Sequence, residues 1–121
     1  MHKDGAPRPS PKADVESKAL FRTLVPNDDR VTVKPMFGAV AAFANGLMFM
    51  GLFATDLFVR LDDNDTAAVM AAGGGPLEPM PGKPMKGYAW IPNWRSDHEA
   101  VQRWGKRALD YTLTLPPKKP K

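Results

Sequence analysis

The chain is 121 residues long, with 43% hydrophobic and 25% charged side chains, a formal net charge of +4 and no cysteine. That length suits one domain with its own core, and the missing cysteine excludes a disulfide framework and thiolate chemistry. The first twenty residues lack the apolar stretch of a signal peptide and no later run reaches membrane-spanning length, so a soluble cytoplasmic protein is expected.

In chain order, residues 1–12 come first. They carry Lys3, Arg8 and Lys12 against Asp4, with three prolines and little to bury. Residues 116–121 repeat the pattern with Lys118, Lys119 and Lys121. Such composition predicts disordered, extended tails. The intervening 13–115 has eleven basic and twelve acidic side chains, so the basicity belongs to the tails. Solubilising ends around a neutral domain explain them more simply than nucleic-acid contact does.

Residues 13–25, "ADVESKALFRTLV", predict a helix with Ala19, Leu20 and Leu24 inward, stopped by Pro26. The period then turns to alternation. "GAVAAFA" (38–44) and "LMFMGLFA" (47–54) flank Asn45-Gly46, a pair that tolerates positive φ and closes a two-residue hairpin. Thr55-Asp56 leads into "LFVRL" (57–61), completing a three-stranded antiparallel meander. Strict alternation places Phe43, Met48, Met50, Leu52, Val59 and Leu61 on one face, and Val40, Leu47, Phe49, Phe53 and Phe58 with Arg60 on the other. A sheet wet on one side should show polar residues there. This one is apolar on both, so the second face needs a cover: a terminal segment, a second copy or a ligand.

"DDNDTAAVMAAGGG" (62–75) predicts a short helix capped by Asp62 or Asp63, and a looping segment, 74–85, follows. Lys86–Ile91 reads as a strand, with Lys86, Tyr88 and Trp90 on one side. Ser96-Asp97-His98-Glu99 has the form of a capping box, opening a helix to about Leu115 with Val101, Trp104, Ala108 and Tyr111 buried. The expected fold is α+β, two-layer, in the order α-β-β-β-α-β-α: a mostly antiparallel sheet, the meander plus a further strand, packed against helices.

Catalytic groupings are hard to find. The two histidines, His2 and His98, have no partner at ligand spacing, so no metal is expected. Asp62-Asp63-Asn64-Asp65 imitates the start of a calcium loop, but Ala67 and Gly73 stand where the sixth-position glycine and closing glutamate belong. Ser10, Ser17 and Ser96 have no activating histidine. Gly82-Lys83 is followed by Pro84 on the way from helix to strand, unlike a phosphate loop. No cofactor and no enzymatic activity are expected. Tyr88, Trp90 and Trp94 near Lys83, Lys86 and Arg95 form a weak basic-aromatic signal for nucleic acid.

"VKPMFGAVAAFANGLMFMGLFATDLFVRLDD", then "GGPLEPMPGKPMKGYAWIP", then a Trp-containing final helix resembles the TfoX N-terminal domain family, the amino-terminal half of bacterial competence regulators. The landmarks are Met36-Phe37-Gly38, Asn45-Gly46 with Met48-Phe49, Leu57-Phe58-Val59, and Gly82-Lys83-Pro84 before Tyr88. The resemblance spans about 13 to 116. It implies a secretion-chaperone-like fold, frequent homodimers, a link to competence and transcription regulation, and no catalytic residues. Full-length regulators of the family carry a second, C-terminal domain, so activities needing it are not expected of this chain. The leading expectation is therefore a non-enzymatic regulatory or protein-interaction module, homodimeric through apolar sheet surface. Met36, Phe37, Gly38, Phe49, Phe58, Lys83, Lys86, Tyr88 and Trp90 are its candidate interaction residues. Weak nucleic-acid binding through the tails and the Lys86/Tyr88/Trp90 region is one alternative, and small-molecule binding another.

Overall fold

The structure, a computed structural model, describes residues 15–36, 38–80 and 82–117. The N-terminal tail and residues 118–121 lie outside these, so the expectation for the tails is not addressed. The elements run α1 (Val15–Leu24), β1 (Val31–Met36), β2 (Ala39–Ala44), β3 (Leu47–Phe53), β4 (Asp56–Arg60), α2 (Asp63–Ala71), β5 (Gly75–Pro76), β6 (Tyr88–Trp90) and α3 (His98–Leu113). The strands form one sheet in the order β1-β2-β3-β4-β6-β5, antiparallel at every pairing. The expected α+β two-layer architecture is present, with two strands more than anticipated.

β1 went unread because Lys34 and Pro35 interrupt its β-branched alternation. A proline is tolerated where its missing N–H faces away from the ladder, and β1 is the edge strand. It pairs with β2 from Val31↔Ala44 to Met36↔Ala39. β5 is only two residues, Gly75 and Pro76, too short to show a period.

The Asn45-Gly46 turn forms as expected, with φ of 53° and 78°. The register beyond it does not follow strict alternation. Phe43 pairs with Met48 but Ala42 pairs with Met50, which leaves Phe49 as an extra residue in a β-bulge. Phe49 and Met50 are both fully buried in the core. The face assignment is therefore corrected on one side of the bulge. Phe43 and Met48 leave the helix-facing side, while Val40, Phe49 and Ala44 join Met50, Leu52, Leu57 and Val59 there.

Against that side pack α1 and α3. Buried residues of α3 are Ala100, Val101, Gly105, Ala108, Leu109 and Thr112. The expected stripe was thus rotated: Trp104 and Tyr111 are only half-buried. α3 comes close to the sheet at Gly105, where a Cβ would stand 3.2 Å from Met50 Sδ. In α1, Phe21 and Leu24 are buried, whereas the expected Ala19 is exposed. Asp97, not Ser96, caps α3 by accepting from the Ala100 N–H at 3.2 Å. The Arg95 guanidinium donates to the buried Ser17 hydroxyl, tying the approach to α3 back to α1.

The α2 cap, Asp62, accepts from the Asp65 N–H at 2.8 Å, and Asp65 takes the Arg107 guanidinium at 2.7 and 2.8 Å. The acidic cluster is engaged in capping and in joining α2 to α3. Among the described residues no group of three or more His, Cys, Asp or Glu could hold a metal, and no helix is long and apolar enough to cross a membrane.

Candidate interaction face

With α1 and α3 packed on one side of the sheet, the register determines what the other side carries. Thr32, Lys34 and Met36 of β1 share it with Ala39, Ala41 and Phe43 of β2. Met48, Gly51 and Phe53 of β3 continue it into Asp56, Phe58 and Arg60 of β4, then Tyr88 and Trp90 of β6. This face is covered mainly by its own side chains. A Cβ at Gly51 would stand 2.6 Å from Phe58 Cζ, so the Phe58 ring lies down on the glycine and on Ala41 beside it. Tyr88 meets Phe58 edge-on, centroids 5.7 Å apart at 75°, and donates its hydroxyl to the Met48 carbonyl at 2.8 Å. Trp90 lies over Gly75, where a Cβ would approach its ring to 2.7 Å. Small residues beneath large rings therefore close much of the surface: Ala41 and Phe58 are 1% and 4% exposed.

What stays open is the outer half of the rings and the cations among them. Phe43, Met48, Phe53, Tyr88 and Trp90 are half-buried. Lys34 Nζ is 5.2 Å from the Phe43 centroid and Arg60 Cζ is 5.6 Å from that of Tyr88, both within cation–π range. Burial pushes the Tyr88 hydroxyl pKa up, with the Arg60 charge opposing it. Asp56, at the end of β4, is likewise pushed up by burial. It borders a hollow of about 350 Å³ framed by Trp90 and Trp94, where the Trp94 indole N–H is already given to the Thr55 carbonyl at 2.8 Å.

The sequence-predicted residues separate into three places. Phe58, Tyr88 and Trp90 come together on the open face, with Met36 half-buried at its edge and Gly38 exposed beyond it, φ 74°. Phe49 does not belong with them: the bulge turns it into the core on the opposite side. Lys83 and Lys86 are exposed in the loop before β6. Gly87, at φ 88°, breaks the extended backbone there, so Lys86 does not share the alternation of Tyr88 and Trp90. Phe37 lies outside the described residues. Lys34, Phe43 and Met48 were missed as face residues. Gly51, an interior strand glycine, was the signal that something approaches the backbone closely.

The loop between β5 and β6 is a connector held by its backbone. Met85 N–H reaches the Leu77 carbonyl at 2.8 Å, Lys83 N–H the Met80 carbonyl at 2.9 Å, and Leu61 N–H the Gly87 carbonyl at 3.0 Å. Met80 and Met85 are among the few exposed large apolar residues, at 61% and 36%.

The family model for the TfoX N-terminal domain matches residues 19–111, which takes in nearly every element of the fold. The chain belongs to the TfoX N-terminal domain family. No curated protein matches it significantly along its sequence. At the level of the family, this TfoX N-terminal domain is a module of the competence-regulator type.

Proposed function

We propose that this TfoX N-terminal domain is a non-enzymatic interaction module acting in regulation, and that it engages its partner through the open sheet face. The observation carrying this reading is the asymmetry of the sheet. α1 and α3 pack on one side, while the other presents half-buried rings of Phe43, Phe53, Tyr88 and Trp90 with Lys34 and Arg60 standing among them. Aromatic residues and arginine are the types enriched at interface hot spots.

The test is position-specific photo-cross-linking in cells. A photoreactive phenylalanine analogue replacing Phe43 is expected to yield a discrete adduct. The same group at Ala67, exposed on α2, is expected to yield none. Equal labelling from both positions, or labelling from Ala67 alone, refutes the reading.

A face-to-face homodimer is the second reading. Asp56 shares the face with Arg60 and Lys34, so two copies could offer each other opposite charges across a two-fold axis. Light scattering at tens of micromolar tests it, a strict monomer being the refuting result.

A further inference from the structure

The chemistry of the open face narrows what it could hold. We infer that it binds single-stranded nucleic acid, bases against its rings and phosphates against its cations; this deepens the open-face reading above and rests on it.

Charge supplies the first argument. Lys34 and Arg60 stand on the face against one carboxylate among the described face residues, that of Asp56, and Lys86 is exposed two residues before Tyr88. An anionic occupant matches that surface.

The rings supply the second. Phe43 on β2 and Tyr88 and Trp90 on β6 project to one side and are half-buried, while Phe58 of β4, also on that side, is covered and offers no open surface. Adjacent strands are about 4.8 Å apart, so β2 to β6 spans on the order of 14 Å. That holds about four nucleotides at the 3.4 Å spacing along one stacked strand, the low end of known single-strand site sizes.

The third argument is the pairing of cation with ring. Lys34 stands beside Phe43 and Arg60 beside Tyr88, at 5.2 and 5.6 Å from the ring centres. Each pair offers a phosphate contact next to a stacking surface. A duplex hides its base faces inside the helix, so rings on a sheet reach them only in a single strand. An acidic peptide would satisfy the cations but would leave the ring repeat unexplained. A second copy brings one carboxylate, Asp56, for the two cations Lys34 and Arg60, so it would match their charge only in part.

Fluorescence anisotropy on the full chain tests this with a labelled oligothymidylate of about 12 nucleotides and the matching duplex. The single strand is expected to bind more tightly than the duplex. The double variant Lys34→Glu/Arg60→Glu should weaken single-strand binding by about 10-fold or more. It should also flatten the log–log salt slope by about 1.4, two contacts at roughly 0.7 each. Tyr88→Phe keeps the ring and should bind nearly as the parent does, whereas Tyr88→Leu should lose about 10-fold through its stacking surface. A thermal melt of each variant guards against misfolding.

Three results overturn the proposal. One is duplex bound as tightly as single strand. Another is binding abolished by Lys118→Glu/Lys119→Glu/Lys121→Glu but untouched by the face variant, which assigns it to the tail. The third is no binding, with an oligoglutamate peptide binding instead or with a dimer dispersed by Lys34→Glu/Arg60→Glu. In that last case the open-face reading stands and only the occupant is wrong. Absence of any adduct from position 43 removes both.

Discussion

Gly51→Ala probes the arrangement on which the open face depends. The added Cβ would sit 2.6 Å from Phe58 Cζ, 3.0 Å from its Cε2 and 3.2 Å from Ala41 Cβ. Unstrained carbons meet at about 3.5–4.0 Å, so the ring must lift by roughly 1 Å. Overpacking of this kind costs about 1–3 kcal/mol. Alanine recovers about 0.5–1 kcal/mol over glycine in a strand, because the unfolded chain loses less freedom. The net expectation is a loss of about 1 kcal/mol, a Tm lower by ~4 °C for a domain of this size. The decisive comparison repeats the substitution in a Phe58→Val background, where no ring lies over position 51. There Gly51→Ala should turn stabilising by about 0.5 kcal/mol, a coupling of roughly 1.5 kcal/mol between the two positions. Chemical denaturation of the four proteins gives the cycle. The same sign in both backgrounds would show that the Phe58 ring does not cover Gly51.

Thr112 is fully buried in α3 and its hydroxyl has no hydrogen-bond partner among the described residues. The near-isosteric Thr112→Val should therefore stabilise the fold by about 1 kcal/mol in denaturant titration. Asp62→Ala removes the cap of α2 and should cost about 1 kcal/mol by the same assay. Asp56 tests pH dependence. Burial raises its folded pKa above the ordinary 3.8, so the native state holds the proton more tightly than the unfolded chain does. Its contribution is most favourable below that ordinary value and is lost as pH rises through the raised one. Asp56→Asn should gain on the parent with rising pH across that window, followed as the difference in Tm. A gap independent of pH refutes the burial argument.

The parts of the fold legible in the sequence were those fixed by local chemistry. The Asn45-Gly46 turn needs positive φ at both positions, Pro26 lies just beyond the end of α1, and Asp62 caps α2. What escaped depends on neighbours distant in sequence. Whether Pro35 is tolerated depends on β1 being an edge strand, a fact of sheet order. The two residues of β5 exist only because β6 is there to pair with them. The helix stripes were displaced because residues such as Trp104 snorkel at the boundary, its ring beside Arg103 and Arg107.

The bulge matters most for the site, because it changes what a doubly apolar ribbon means. Strict alternation would have set Phe49 beside Phe58 and left a broad greasy surface that only another molecule could cover. One extra residue at Phe49 instead sends that ring into the core and brings Phe43 and Met48 to the other side. Gly51 and Ala41 then let Phe58 fold flat, and Tyr88 closes over its edge. The resulting face exposes less apolar surface than the alternating pattern implies, since the Phe58 ring is already 96% covered. A surface that need not be covered can bind reversibly. Its specificity then falls to the groups that remain exposed, the outer parts of Phe43, Tyr88 and Trp90 and the charges of Lys34 and Arg60. Such a face suits a polar or charged partner that comes and goes better than a permanent, core-like interface.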